Sequence, residues 1–134
     1  MSAGKLNALL MDAYTHLKVS DKIVSASSLC QVIEIATKFI SSNGSDISQD
    51  FMLLEFDLRA TAADGTNQQT RTFGGMRGTC RQIGMEYFDS YEIMAQASKI
   101  GEQALELLAA DECPSGEMDV VIAPDQMMLQ IHES

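Results

Sequence analysis

His132 and Glu133 stand together near the end of the chain, in the run QIHES. A neutral imidazole nitrogen binds zinc. A carboxylate beside it takes a proton from the metal-bound water as that water attacks a peptide carbonyl. Several metallopeptidase motifs open with this pair on a helix, and each needs a second His three or four residues on. The sequence stops at Ser134, before that position. Alone, the dipeptide is a weak signal, and a polar helix end explains it as well.

The other residues with chemistry to offer read as structural. Cys30, Cys80 and Cys113 are odd in number and widely spaced, with no C-x-x-C pair. Free thiols in a reduced, cytoplasmic compartment are the expectation. His16 is a lone surface imidazole. The stretch TFGGMRGTCRQIGMEYF contains Gly74, Gly75, Gly78 and Gly84, but neither G-x-G-x-x-G nor G-K-[ST]. It reads as a flexible connection between a sheet and a helix rather than a phosphate cradle. Glu55 and Asp57 share a strand face, and a solvated sheet surface accounts for them.

Charge narrows the partners. Nine Lys and Arg against nineteen Asp and Glu leave a net charge of -10. Clustered basic side chains for nucleic acid are missing, and an anionic membrane would repel the chain. No apolar run of about 18 residues offers a membrane span. The start, MSAGKLNALLMDAY, lacks a basic n-region and carries Asp12, so no secretory signal is expected. At 46% apolar and 21% charged residues, the chain has the composition of one globular domain or part of one.

The elements that would position the pair follow from periodicity. Residues 4–18 place Leu6, Leu9, Leu10, Ala13 and Leu17 at helical spacing. Residues 19–30 are Ser-rich and read as a loop or short irregular strand. From Gln31 the period becomes two, Asn43-Gly44 marks a hairpin turn, and DFMLLEFDLRATA alternates with Met52, Leu54, Phe56, Leu58 and Ala60 on one side. Asp64-Gly65 turns into a polar strand over about 66–73. Asp89 with Glu92 resembles a capping box for a helix running to about Ala110. MDVVIA, residues 118–123, reads as a buried inner strand. Pro124 and Asp125 then open a last helix, with Asp125 as a candidate cap. The expected fold is α+β: a mostly antiparallel sheet of four or five strands packed on helices, ending in the first part of a metal-site helix.

From about Gln31 to Ser134 this order of features resembles the TldD/PmbA family, the modulators of DNA gyrase. The match runs through FISSNGSDISQ, FMLLEFDLRATAADG, TFGGMRG, YFDS, the helix EIMAQASKIGEQALELLAADECPSGE, and CPSGEMDVVIAPDQMMLQIHES, its most specific part. In that family a strand carrying Val-Val leads through a turn into a helix bearing H-E-x-x-x-H. The first 30 residues match only loosely.

The resemblance implies a zinc-dependent peptidase of the cytoplasm that acts on peptides or unfolded segments. Its partner would be a PmbA-like subunit without the motif, or further copies in a homo-oligomer. His132 and Glu133 put the sequence with the TldD-type chains, His132 as first zinc ligand and Glu133 as general base. Residues 1–134 would be the N-terminal domain, a fragment inactive by itself. The second His would fall three residues after Ser134, and the family's Cys ligand lies in a C-terminal domain. None of the three cysteines here matches that Cys. Two His five apart on a regular α-helix point about 140° away from each other, so the motif needs a π-bulge or a helix end. The alternative is a non-catalytic α+β interaction or regulatory domain, gyrase-modulator-like or PmbA-type, whose His-Glu ending is incidental.

Overall fold

The computed structural model describes residues 1–75, 79–89 and 92–134. Its elements in chain order are α1 (Ala3–Leu17), β1 (Ile23–Ile40), β2 (Asp46–Asp64), β3 (Asn67–Thr72), a 3₁₀ turn at Met85–Asp89, α2 (Ile93–Leu108) and α3 (Pro124–His132). The sheet is an antiparallel meander in the order β1-β2-β3. The fold class is therefore α+β, as expected.

The period-two pattern of β2 builds the core. Leu54, Phe56, Leu58, Ala60 and Ala62 are all at most 1% exposed. α1 and α2 pack on that face. α2 supplies Ile93, Ala97, Ile100, Gly101 and Ala104, one stripe at helical spacing. α1 supplies Ala13 and Leu17, and its first turn is capped by the Ser2 hydroxyl, which accepts from the Lys5 N–H. Phe56 packs edge-on against Phe73 and Phe88, at centroid distances of 6.2 and 5.4 Å. Gly101 lies where α1 ends: a Cβ there would sit 2.4 Å from the Leu17 carbonyl oxygen. Only a glycine lets α2 pass this close.

Two turns come out as expected. Gly44 has φ 93° and Gly65 φ 60°, conformations that favour glycine. The Ser41 N–H closes the first loop on the Ser45 carbonyl at 3.0 Å. β1, however, begins at Ile23, inside the Ser-rich stretch expected to be a loop. Ile23 is buried and Ala26, Ser28 and Cys30 are half-buried, all turned toward the helices. Small serines fit this half of the pleat, and pairing with β2 supplies the order that local pattern did not reveal.

The sheet has three strands among the described residues, where four or five were expected. MDVVIA is the difference. It is exposed throughout, with Val121 at 99%, and pairs with no strand among the described residues. Apolarity shows that a segment seeks cover, but not that an edge is within reach. The capping box also fails. Asp89 ends the 3₁₀ turn, and the N-cap of α2 is Glu92, without a side-chain cap bond. The intervening Ser90 and Tyr91, and Gly78 of the glycine-rich stretch, lie outside the described residues. In α3 the N-cap is Ala123 with Pro124 opening the helix, so Asp125 falls inside it.

The β1–β2 hairpin outruns its cover. Beyond Leu54 and Val32 most side chains are exposed up to the turn. The apolar side also changes there. From Leu54 to Ala62 the apolar residues of β2 face the helices. Toward the turn most lie on the other face, with Ile33 opposite Leu53, Ile35 opposite Phe51 and Phe39 opposite Ile47, while Met52 and Ile40 keep the first face and are exposed.

Candidate functional site

His132 is the last residue of α3, and Glu133 is its C-cap, with its N–H bonded to the Leu129 carbonyl at 3.1 Å. The ring Nε2 lies 3.9 Å from Glu133 Oε1, and the side chains are 78% and 70% exposed. Neighbours in a helix diverge by about 100°, so the two present their groups side by side to solvent. A shallow groove runs between residues 121–123 and α3, lined by Ile122, Gln126 and Leu129, with Glu133 at its rim. Ser134 Oγ donates to the Gln130 carbonyl at 2.5 Å and closes the helix end. The buried strand expected to deliver this helix is instead exposed chain outside any strand.

Zinc is held by three or four protein ligands. No group of three or more His, Cys, Asp or Glu side chains able to hold a metal ion occurs among the described residues. His132 with Glu133 alone therefore does not fit a zinc site, and no catalytic step is assigned to these residues by themselves.

The remaining candidates hold the scaffold. His16 Nδ1 lies 2.9 Å from the Asp12 carbonyl oxygen on α1, exposed to solvent. The three cysteines are unpaired, and burial pushes the Cys30 thiol above its ordinary pKa, which makes it a poorer nucleophile. Asp57 accepts from the Gly74 N–H at 3.1 Å, so it anchors the glycine-bearing turn rather than forming an acid–base pair with Glu55.

Two contacts in that turn were not anticipated. Arg81 and Leu54 exchange backbone hydrogen bonds at 2.8 and 2.9 Å. The Thr79 hydroxyl accepts from the Phe56 N–H at 3.3 Å and donates to the Phe56 carbonyl. The glycine-bearing segment thus serves in part as a stand-in fourth strand along β2. A Thr in a glycine-rich stretch carries no mark of this in the sequence.

An α+β scaffold ending in an exposed helix with a His-Glu terminus is the class that structure and site define. No family model matches the chain. Over 134 residues it is 30% identical to a Methanothermobacter thermautotrophicus protein named a metalloprotease, a match covering 98% of this chain and 28% of that one. Among solved structures it is similar to a proposed modulator of a DNA gyrase from Thermotoga maritima, with a TM-score of 0.64 and 13% identity over 87% of this chain and 25% of that one. At that identity the likeness shows the fold alone. The chain spans about a quarter of the length of both.

No helix among the described residues is long and apolar enough to cross a membrane.

Proposed function

We propose that these residues form the N-terminal part of a TldD-type zinc metallopeptidase of the cytoplasm, cleaving peptides or unfolded segments. The observation that carries this reading is the 30% identity to a protein named a metalloprotease, which extends over nearly the whole chain. The fold shared with a proposed gyrase modulator adds support, because both likenesses fit the TldD/PmbA pattern. In the complete site His132 would be one zinc ligand and Glu133 the general base. The other ligands would come from residues beyond these 134. A PmbA-like subunit or a second copy would complete the assembly.

The exposure of His132 and Glu133 favours a second reading, a non-catalytic interaction domain with a polar helix end. Zinc content and peptidase activity separate the two. They should be measured on the product of the gene read on past codon 134, with and without Glu133→Gln. The peptidase reading expects about one zinc per chain, cleavage of an unfolded peptide, and a Glu133→Gln variant that keeps the metal but loses activity. An extended product without zinc, or one whose cleavage survives Glu133→Gln, refutes it.

A further inference from the structure

Among the described residues the outer edge of β1 is open along the projecting part of the hairpin, and its backbone orientation follows from the ladder. Leu54 spends both its N–H and its C=O on Arg81, on the side of β2 away from β1. Backbone groups alternate sides along an antiparallel strand. Leu54 and Val32 are therefore opposed without bonding each other, and Val32 points its own N–H and C=O away from β2. So do Glu34, Ala36, Lys38 and Ile40. These five residues present a regular row of unused donors and acceptors.

Proteins usually blunt such an edge with proline, a bulge, shortness, or repelling charges. The other edge of the sheet follows that rule, since β3 is six residues long, polar, and carries Arg71. β1 does not. It runs for 18 residues without proline, and its one irregularity lies at Ile23/Ser25, far from the turn. The only charges between Val32 and Ile40 are Glu34 and Lys38, two residues to either side of Ala36.

We infer that two copies of this chain pair through their β1 edges, antiparallel, about a two-fold axis at Ala36. In this register Glu34 of each copy faces Lys38 of the other. Val32 then faces Ile40, Ile33 faces Phe39, and Ile35 faces Thr37. Sliding the pair four residues in sum either way puts Glu34 against Glu34 or Lys38 against Lys38, which is repulsive. Sliding by two leaves both charges without an opposing partner. Lys38 already meets Asp46 of its own hairpin at 3.2 Å, and one ammonium has donors for both carboxylates. The five outward residues of each copy would form about ten backbone hydrogen bonds, the number found in an ordinary interface. A strand-edge contact buries less area than most stable dimers, which makes the association a weak one. This pairing does not depend on the peptidase reading, since β1 and α3 are separate elements.

The test is charge complementation, read by light scattering after size exclusion of the 134-residue chain at tens to hundreds of micromolar. The native chain should dimerise. Glu34→Lys and Lys38→Glu should each weaken self-association at least about tenfold, because each sets like charges across the axis. Mixed one to one, the two variants should pair, since both cross-axis contacts are again of opposite sign. Ala36→Pro removes an N–H that points only to the outer edge, so it should abolish pairing while circular dichroism stays native. In a ¹⁴N/¹⁵N mixture, carbodiimide should yield a mixed-label Glu34–Lys38 link. A monomeric native chain, self-association indifferent to both reversals, or a mixture that stays monomeric overturns the inference.

Discussion

Gly101→Ala sets two effects of opposite sign against each other. Alanine is the better helix former by about 1 kcal/mol, partly because glycine has more freedom to lose on folding. On that count the variant should gain stability. The helix crossing says otherwise. The new Cβ would lie 2.4 Å from the Leu17 carbonyl oxygen and 2.9 Å from Val19 Cγ2. Leu17 ends α1 and Val19 follows its C-cap, and the closer contact is backbone, which cannot rotate aside. α1 and α2 must separate by several tenths of an ångström, opening the contact around Leu17 and Ile100. Overpacking of this kind costs about 1–3 kcal/mol, with a backbone clash at the upper end. The net change is a loss of about 1–2 kcal/mol. With a urea m-value of about 1–3 kcal/mol/M, the midpoint should fall by on the order of 1 M. Gly4→Ala is the control. Gly4 lies in the first turn of α1 with nothing within 4 Å of its would-be Cβ, so its midpoint should hold or rise. A Gly101→Ala variant as stable as the native chain, or more so, would refute the close crossing of α1 and α2.

Two further substitutions test the scaffold around β2. Thr79→Val keeps the shape of the side chain but leaves the buried Phe56 N–H and C=O without the hydroxyl they share; urea unfolding should show a loss of about 1–3 kcal/mol. A loss below about 0.5 kcal/mol would mean that other partners satisfy those groups. Asp64→Asn addresses acid stability. The Lys22 ammonium donates to the Asp64 carboxylate at 2.5 Å, and this bond, with its charge, holds the carboxyl below its ordinary pKa. Because the folded value is depressed, the contribution is fully present above the unfolded carboxyl pKa of about 4 and fades as pH falls through the lower folded value. The urea midpoints of the native chain and Asp64→Asn should therefore differ at pH 6 and converge as the medium is taken down toward pH 2. A gap that does not change with pH would mean the pair contributes nothing to folding.

Legibility in the sequence followed the range of each interaction. Turns at Gly44 and Gly65 and the alternation of β2 are set by neighbours in the chain, and they were readable. The start of β1 was not. Residues such as Ser25, Ser27 and Ser28 have no apolar alternation to show, and only their register opposite Leu58 to Thr61 makes them strand. MDVVIA went wrong for the converse reason, since its apolar run promised burial that depends on an edge elsewhere. The need for glycine at position 101 carries no mark in the sequence, because it arises only where the end of α1 packs against α2. For the candidate site the limit is starker. His132 and Glu133 could be picked out as a pair, but a metal centre is a property of several ligands brought together, and one imidazole does not define its geometry.

The hairpin changes the face on which most of its apolar residues lie. A strand with a single buried face keeps its apolar residues on one parity. β2 keeps them at even positions from Leu54 to Ala62 and, Met52 aside, at odd positions in Ile47, Phe51 and Leu53. The change of parity falls within the apolar run Phe51-Met52-Leu53-Leu54. Across the ladder, Ile33-Val32 makes the same step in β1. With a side-chain period of two, such a shift moves most of the apolar side chains from one face of the sheet to the other. Here it separates a base packed on α1 and α2 from a two-stranded ribbon. Two strands alone are marginal in water, and added strands supply the missing support. The open β1 edge lies on that ribbon, so the part of the molecule with the least internal support also offers the backbone row and the Glu34–Lys38 pattern that a second copy can use. Disrupting that edge should leave the base intact. Glu34→Lys should accordingly lower self-association without moving the unfolding midpoint of the monomer, and a matching loss in both would show that the ribbon and the base are one cooperative unit.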